Sequence, residues 1–189
     1  MTAMVVGASS PFTVYDLEGM PDDGRRYELV DGELLVSPAP GTLHQTMALR
    51  LAIRLVAACP ADLHVLTAPF AVRTDVTNEV QPDVLIARIE DLTDKNLPVA
   101  PVLVAEVASP STRMVDANLK RAVYERMGVP CFWLLDPDPV EPSLTARELD
   151  DEGQYQTVAR VKGEEAFHAQ RPFPVRIVPL ELLAGLGAR

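Results

Sequence analysis

The stretch that most limits what this chain can become is Pro-Val-Leu-Val-Ala-Glu-Val-Ala-Ser-Pro-Ser-Thr, residues 101–112. A near-continuous run of small and branched apolar side chains reads as a strand buried on both faces. One carboxylate, Glu106, interrupts it. A lone charge in a packed sheet costs several kcal/mol, roughly, so it either reaches water at a strand end or meets a partner. The same pattern recurs nearby. Gln-Pro-Asp-Val-Leu-Ile-Ala-Arg-Ile (81–89) starts a strand after a proline, with Asp83 at its beginning, and Cys-Phe-Trp-Leu-Leu-Asp-Pro (131–137) is a third buried run.

Around these runs the chain alternates in character. Thr13 and Asp16 form a capping box before a short helix over 14–19. Arg25 to Pro40 reads as a hairpin about Asp31-Gly32, the dipeptide suited to a type I′ turn. Thr42 and Gln45 form a second capping box, opening a helix that runs to Cys59 with Met47, Leu51, Leu55 and Ala58 inward. Residues 63–73 give one or two strands, and 74–79 a polar turn. Residues 113–127 read as a helix with Val115, Leu119, Ala122, Val123 and Met127 in one stripe, stopped by Gly128. The tail holds strands near 143–149, 154–161 and 173–178 and a final short helix near 180–185. The expected fold is α/β or α+β, with one central mixed sheet and an N-terminal hairpin. The length of 189 residues fits one domain.

Asp83 and Glu106 carry the chemistry. If their strands pair antiparallel, the start of one lies beside the end of the other, with side chains about 5 Å apart on a common face. Two carboxylates at that spacing repel unless a proton or cation intervenes. Mg²⁺ suits such a pair because it takes oxygen ligands and keeps several waters. Alternation does not fix whether Asp83 faces the same way, and two solvated strand ends remain the alternative. Lys120 lies four residues after Asp116 on one helix face, as an ammonium directed at the site or as a surface salt bridge. Glu28 shares a strand face with Val30, which suggests partial burial. His44 falls in the first turn of the long helix, either reaching a phosphate or sitting on the surface.

Composition narrows the reading. A formal charge of −10 counts against nonspecific nucleic-acid binding, although a carboxylate metal site is acidic by nature. Two cysteines, Cys59 and Cys131, make no disulfide framework. There is no secretory signal or membrane-length apolar run, so a cytoplasmic location is expected.

In content and order, "RRYELVDGELLVSPAPGTLHQ", "QPDVLIA", "VAEVASPSTRMVDANLKRAVYERMGV" and "CFWLLDP" resemble the Uma2 family. That domain-of-unknown-function family is assigned to the PD-(D/E)XK, or restriction-endonuclease-like, superfamily. The resemblance covers about 12–182 and implies a single restriction-endonuclease-like domain there, its central mixed sheet flanked by helices, with 1–11 as a tail. It implies a Mg²⁺-dependent endonuclease, Mn²⁺ being an alternative ion, acting on nucleic acid, DNA first. Pro82-Asp83 would be the PD and Glu106 the (D/E), with the Val107 carbonyl as a further metal ligand. Ala108 stands where the superfamily lysine belongs, which transfers that role to Lys120, about 12 Å along the following helix. Glu28 matches an extra acid near the metal. A homodimer would suit cutting of two strands. The rivals are a nuclease fold that binds DNA or protein without cutting, an interaction module, and a hydrolase of small phosphoesters.

Overall fold

The computed structural model describes residues 4–6, 10–109 and 119–186. The central sheet is mixed, with six strands: β4 (Leu63–Thr67), β7 (Val84–Arg88), β9 (Leu103–Val107), β10 (Cys131–Asp136), β11 (Ser143–Leu149) and β12 (Tyr155–Lys162). They lie in the order β12-β11-β10-β9-β7-β4. Only β9 and β10 run parallel in it. Parallel neighbours need a crossover, and the part of it that is described is α3 (Arg121–Met127), stopped by Gly128 in the left-handed conformation at φ 79°.

Alternation along these strands separates two cores. Val84, Ile86, Leu103, Ala105 and Val107 face α2 (Thr42–Ala58) and the C-terminal residues Phe167, Phe173 and Leu182. Leu85, Ala87, Val104 and Phe132 face the other way. There they meet Val123 and Tyr124 of α3 and a second sheet.

That second sheet also has six strands, in the order β1-β3-β2-β6-β5-β8. Its members are β1 (Met4–Val6), β2 (Arg26–Val30), β3 (Glu33–Ser37), β5 (Ala71–Arg73), β6 (Glu79–Val80) and β8 (Asn96–Leu97). The sequence reading anticipates the hairpin β2–β3 but not the sheet around it, nor the pairing of residues 4–6 with 34–36. The turn is the one its residues demand: Asp31 and Gly32 have φ 53° and 76°. A Cβ on Gly32 would also stand 2.6 Å from Pro11 Cβ, so glycine is required there twice over.

Three local expectations need correction. Gly41, not Thr42, is the N-cap of α2, and no side chain caps it; glycine serves as an N-cap about as well as threonine. Ala58 is exposed, and the buried stripe is Met47, Ala48, Leu51, Ala52 and Leu55. The C-terminal turn is a 3-10 helix, Pro179–Leu183, preceded by the small pair β13 (Phe167–Ala169) and β14 (Val175–Ile177). The first capping box forms as expected, ahead of α1 (Val14–Leu17), with Thr13 N–H donating to Asp16 at 2.7 Å. Val115 and Asp116 lie outside the described residues.

Candidate active site

Strand parity assembles the site. β7 and β9 pair antiparallel with Val84 opposite Ala105, so Asp83, one residue before β7, falls opposite Glu106. Both are in phase with the residues that face the second sheet. On β2, Arg26, Glu28 and Val30 share one face, and Val30 packs into the same core. The result is three acids from two sheets converging on one interlayer. Glu28 and Glu106 are 1% exposed and Asp83 4%.

What meets Glu106 is the crossover helix. Lys120, 2% exposed, places Nζ 2.9 Å from Oε1 of Glu28 and 3.2 Å from Oε1 of Glu106. Tyr124, one helical turn later, donates its hydroxyl to the same Glu106 oxygen at 2.5 Å. Its ring packs on Phe132 of β10, with centroids 5.7 Å apart, which fixes where that hydroxyl points. Glu28 Oε1 also accepts the Gln81 N–H at 2.7 Å. The surface reading of Lys120 is therefore overturned: burial of that ammonium requires a carboxylate partner, and it has two.

Asp83 is held from both oxygens. Oδ1 accepts from Arg26 Nη1 at 3.1 Å. Oδ2 accepts the Val107 N–H at 2.8 Å and lies 3.1 Å from Nε2 of His44. Burial pushes the Asp83 carboxyl upward, but the His44 hydrogen bond and charge, with Arg26 and Lys120, hold it well below the usual carboxylate range. Burial likewise works against the Arg26 charge, and the negative field of Glu28, Asp83 and Glu106 more than offsets it. Among the described residues, three acids against two permanent cations leave the cluster one negative charge in excess before His44 is counted.

From the sequence, His44 is read toward a phosphate or the surface and not toward Asp83, and neither Arg26 nor Tyr124 is read as a site residue. Spacing offered a signal for two of them. Arg26 is two residues before Glu28 on a strand, and Tyr124 is four after Lys120 on a helix.

The donor chemistry suits a hard cation. All three acids offer oxygen, and Asp83 and Glu106 share one face of adjacent strands. Val107 directs its N–H to Asp83, and in a strand the N–H and C=O of one residue leave on the same edge. Among the described residues no three His, Cys, Asp or Glu side chains form a ready metal cage. Mg²⁺ commonly needs only one or two carboxylates, completing its shell with water and substrate. Cys131, by contrast, is a core thiol: burial, then Glu148, pushes it up to about 12.

A cleft of about 380 Å³ opens at Asp83 beside the start of α2. A larger one, about 560 Å³, lies among Pro139, Arg176 and Leu183 near the C-terminal turn and contains none of the buried acids.

A family model described as "Putative restriction endonuclease", Uma2, matches residues 14–182. The chain belongs to the Uma2 family. Among solved structures, a crystal structure titled "putative nuclease belonging to DUF820" from Anabaena variabilis aligns over 92% of this chain and 98% of its own. The TM-score is 0.68 at 14% sequence identity, a likeness of fold. No curated protein matches the sequence. Membership makes this chain one of a nuclease family, with the α+β sheet architecture of its structural neighbour. No helix among the described residues is long and apolar enough to cross a membrane.

Proposed function

We propose that this Uma2 protein is a divalent-metal-dependent endonuclease, hydrolysing phosphodiester bonds of nucleic acid, with DNA the first substrate to try. The observation that carries the reading is the facing pair Asp83 and Glu106, buried on adjacent antiparallel strands with Lys120 alongside. Asp83 and Glu106 would hold Mg²⁺ or Mn²⁺, with the Val107 carbonyl as a further oxygen. When bound, the ion supplies an activated water and neutralises charge on the phosphate.

The chain's own residues do the rest. Arg26, His44 and the Val107 N–H fix the orientation of Asp83 before any substrate arrives. Tyr124 fixes Glu106, and Glu28 holds Lys120 near it. Such pre-set dipoles need no rearrangement when charge develops. The Lys120 ammonium, beside Glu106, would offset charge that grows on the phosphate in the transition state. The interlayer around these groups is packed with apolar side chains, which strengthens each interaction over its value in water.

The test is cleavage of plasmid and single-stranded DNA with Mg²⁺, by the wild-type chain and by Asp83→Asn and Glu106→Gln. Loss of cutting in both variants, with circular dichroism unchanged, is expected. Undiminished cutting by either, after contaminating nuclease is excluded, refutes the assignment. Calorimetry with Mn²⁺ separates the non-cutting alternative: a fold that only binds nucleic acid or protein takes up no metal dependent on these carboxylates.

A further inference from the structure

The metal reading leaves the cleft beside Asp83 unexplained. It is lined by Arg26, His44, Thr46, Leu49, Pro69 and Asp83, among others. Arg26 and His44 keep 19% and 12% of their side-chain surface accessible. Both side-chain hydrogen bonds from Arg26 to described residues, to Gln81 O and Asp83, leave from Nη1. The rest of a rigid five-donor fork thus has no use within the described residues, and such forks suit phosphate oxygens. His44 keeps Nε2 on Asp83, and its Nδ1 is buried without a hydrogen-bond partner among the described residues, so the phosphate contact falls to Arg26. Leu49 and Pro69 add an apolar wall of the kind a sugar or base face covers. At about 380 Å³ the space is the size of a small-ligand site rather than of a duplex groove.

We propose that this cleft is a nucleotide subsite, which receives one nucleotide flanking the scissile phosphate. Its phosphate meets the Arg26 guanidinium, and its sugar and base lie against Leu49 and Pro69. The assignment rests on the nuclease reading above but concerns a different set of contacts.

Leu49 is 59% exposed on the cleft wall, and Ile53, 58% exposed, lies one turn further along α2 and is not among the cleft residues. Leu49→Glu sets a like charge against the incoming phosphate and should raise KM for an oligonucleotide about tenfold or more, with kcat little changed. Ile53→Glu carries the same added charge and should leave KM within about twofold, since a rim charge outside the contact is screened. Mn²⁺ affinity by calorimetry should be unchanged in both. A wild-type KM in Leu49→Glu, or equal rises in both variants, overturns the subsite while the nuclease reading stands. If the wild-type chain cuts no nucleic acid, that reading fails instead. The cleft is then judged by titrating thymidine 3′,5′-bisphosphate: binding by the wild type that Leu49→Glu loses supports it, and no binding by the wild type overturns it.

Discussion

Replacing Lys120 by methionine removes the ammonium and keeps most of the side-chain volume. The structure sets the size of the effect. Lys120 contacts Glu28 and Glu106 at 2.9 and 3.2 Å, and none of the three is more than 2% exposed. Breaking a buried pair by deleting one partner costs about 3–5 kcal/mol, because the remaining charge is stranded. The native state can limit that loss by taking up a proton. At pH 7, placing a proton on one glutamate costs about 3.7 kcal/mol relative to the unfolded chain, where a glutamate has a reference pKa of about 4.3, at about 1.36 kcal/mol per unit. The two routes agree, so a loss of about 3–4 kcal/mol is expected at pH 7. At pH 5 the protonation cost falls to about 1 kcal/mol. The sign follows from linkage: the folded variant holds one more proton than the unfolded chain, so its stability declines as pH rises, by about 1.4 kcal/mol per unit. Urea denaturation of wild type and variant at pH 5, 6 and 7 measures this. A second variant, Lys120→Met with Glu28→Gln, should recover part of the loss. A deficit below about 1 kcal/mol, equal at pH 5 and 7, refutes the claim that Lys120 neutralises these acids.

Asp83 lies below its ordinary 3.8, so the stability it contributes is present above that value and is lost as pH falls through the lower folded value. Asp83→Asn should therefore flatten the acid limb of a stability profile below about pH 4, measured by thermal melts. Tyr124→Phe deletes one hydrogen bond to a buried charged group and should cost about 1.5–3 kcal/mol in urea. Gly32→Ala forces a left-handed residue against Pro11 and should destabilise by about 1–2 kcal/mol or more, seen as a lower Tm. Cys131 is 1% exposed and poorly ionised, so a thiol reagent should label the partly exposed Cys59 first and Cys131 only as urea unfolds the chain.

Much of the central sheet is legible in the sequence, because β7, β9 and β10 are apolar runs bounded by proline, serine or glycine. The hairpin is legible from Asp31-Gly32, and with it the face of Glu28, since Val30 pulls that face inward. The second sheet is not. Its strands β6 and β8 have two residues each, too short for any period to register, and they exist because β2 and β5 offer them partners. The antiparallel register that sets Asp83 opposite Glu106 belongs to the same class of fact: alternation fixes a face within one strand, not the offset between two. Lys120 is legible as an ammonium directed at the site or as a surface salt bridge, but helical phase says nothing of which sheet its helix meets. Its depth follows from β9 and β10 running parallel, which draws the crossover across the sheet face. His44 depends on a tertiary accident of the same kind, the approach of the first turn of α2 to the start of β7.

The lysine is mounted on the crossover, whereas the acid beside it belongs to the sheet, and the two can therefore evolve apart. Ala108, where a strand-borne lysine would stand, is 3% exposed and answers only to packing. A slide of α3 by one turn, about 5.4 Å, would withdraw the ammonium without breaking a single rung of the ladder. On the nuclease reading, the cation hangs on a detachable bracket, and changes in that bracket would retune or silence the centre while the wall behind it stands.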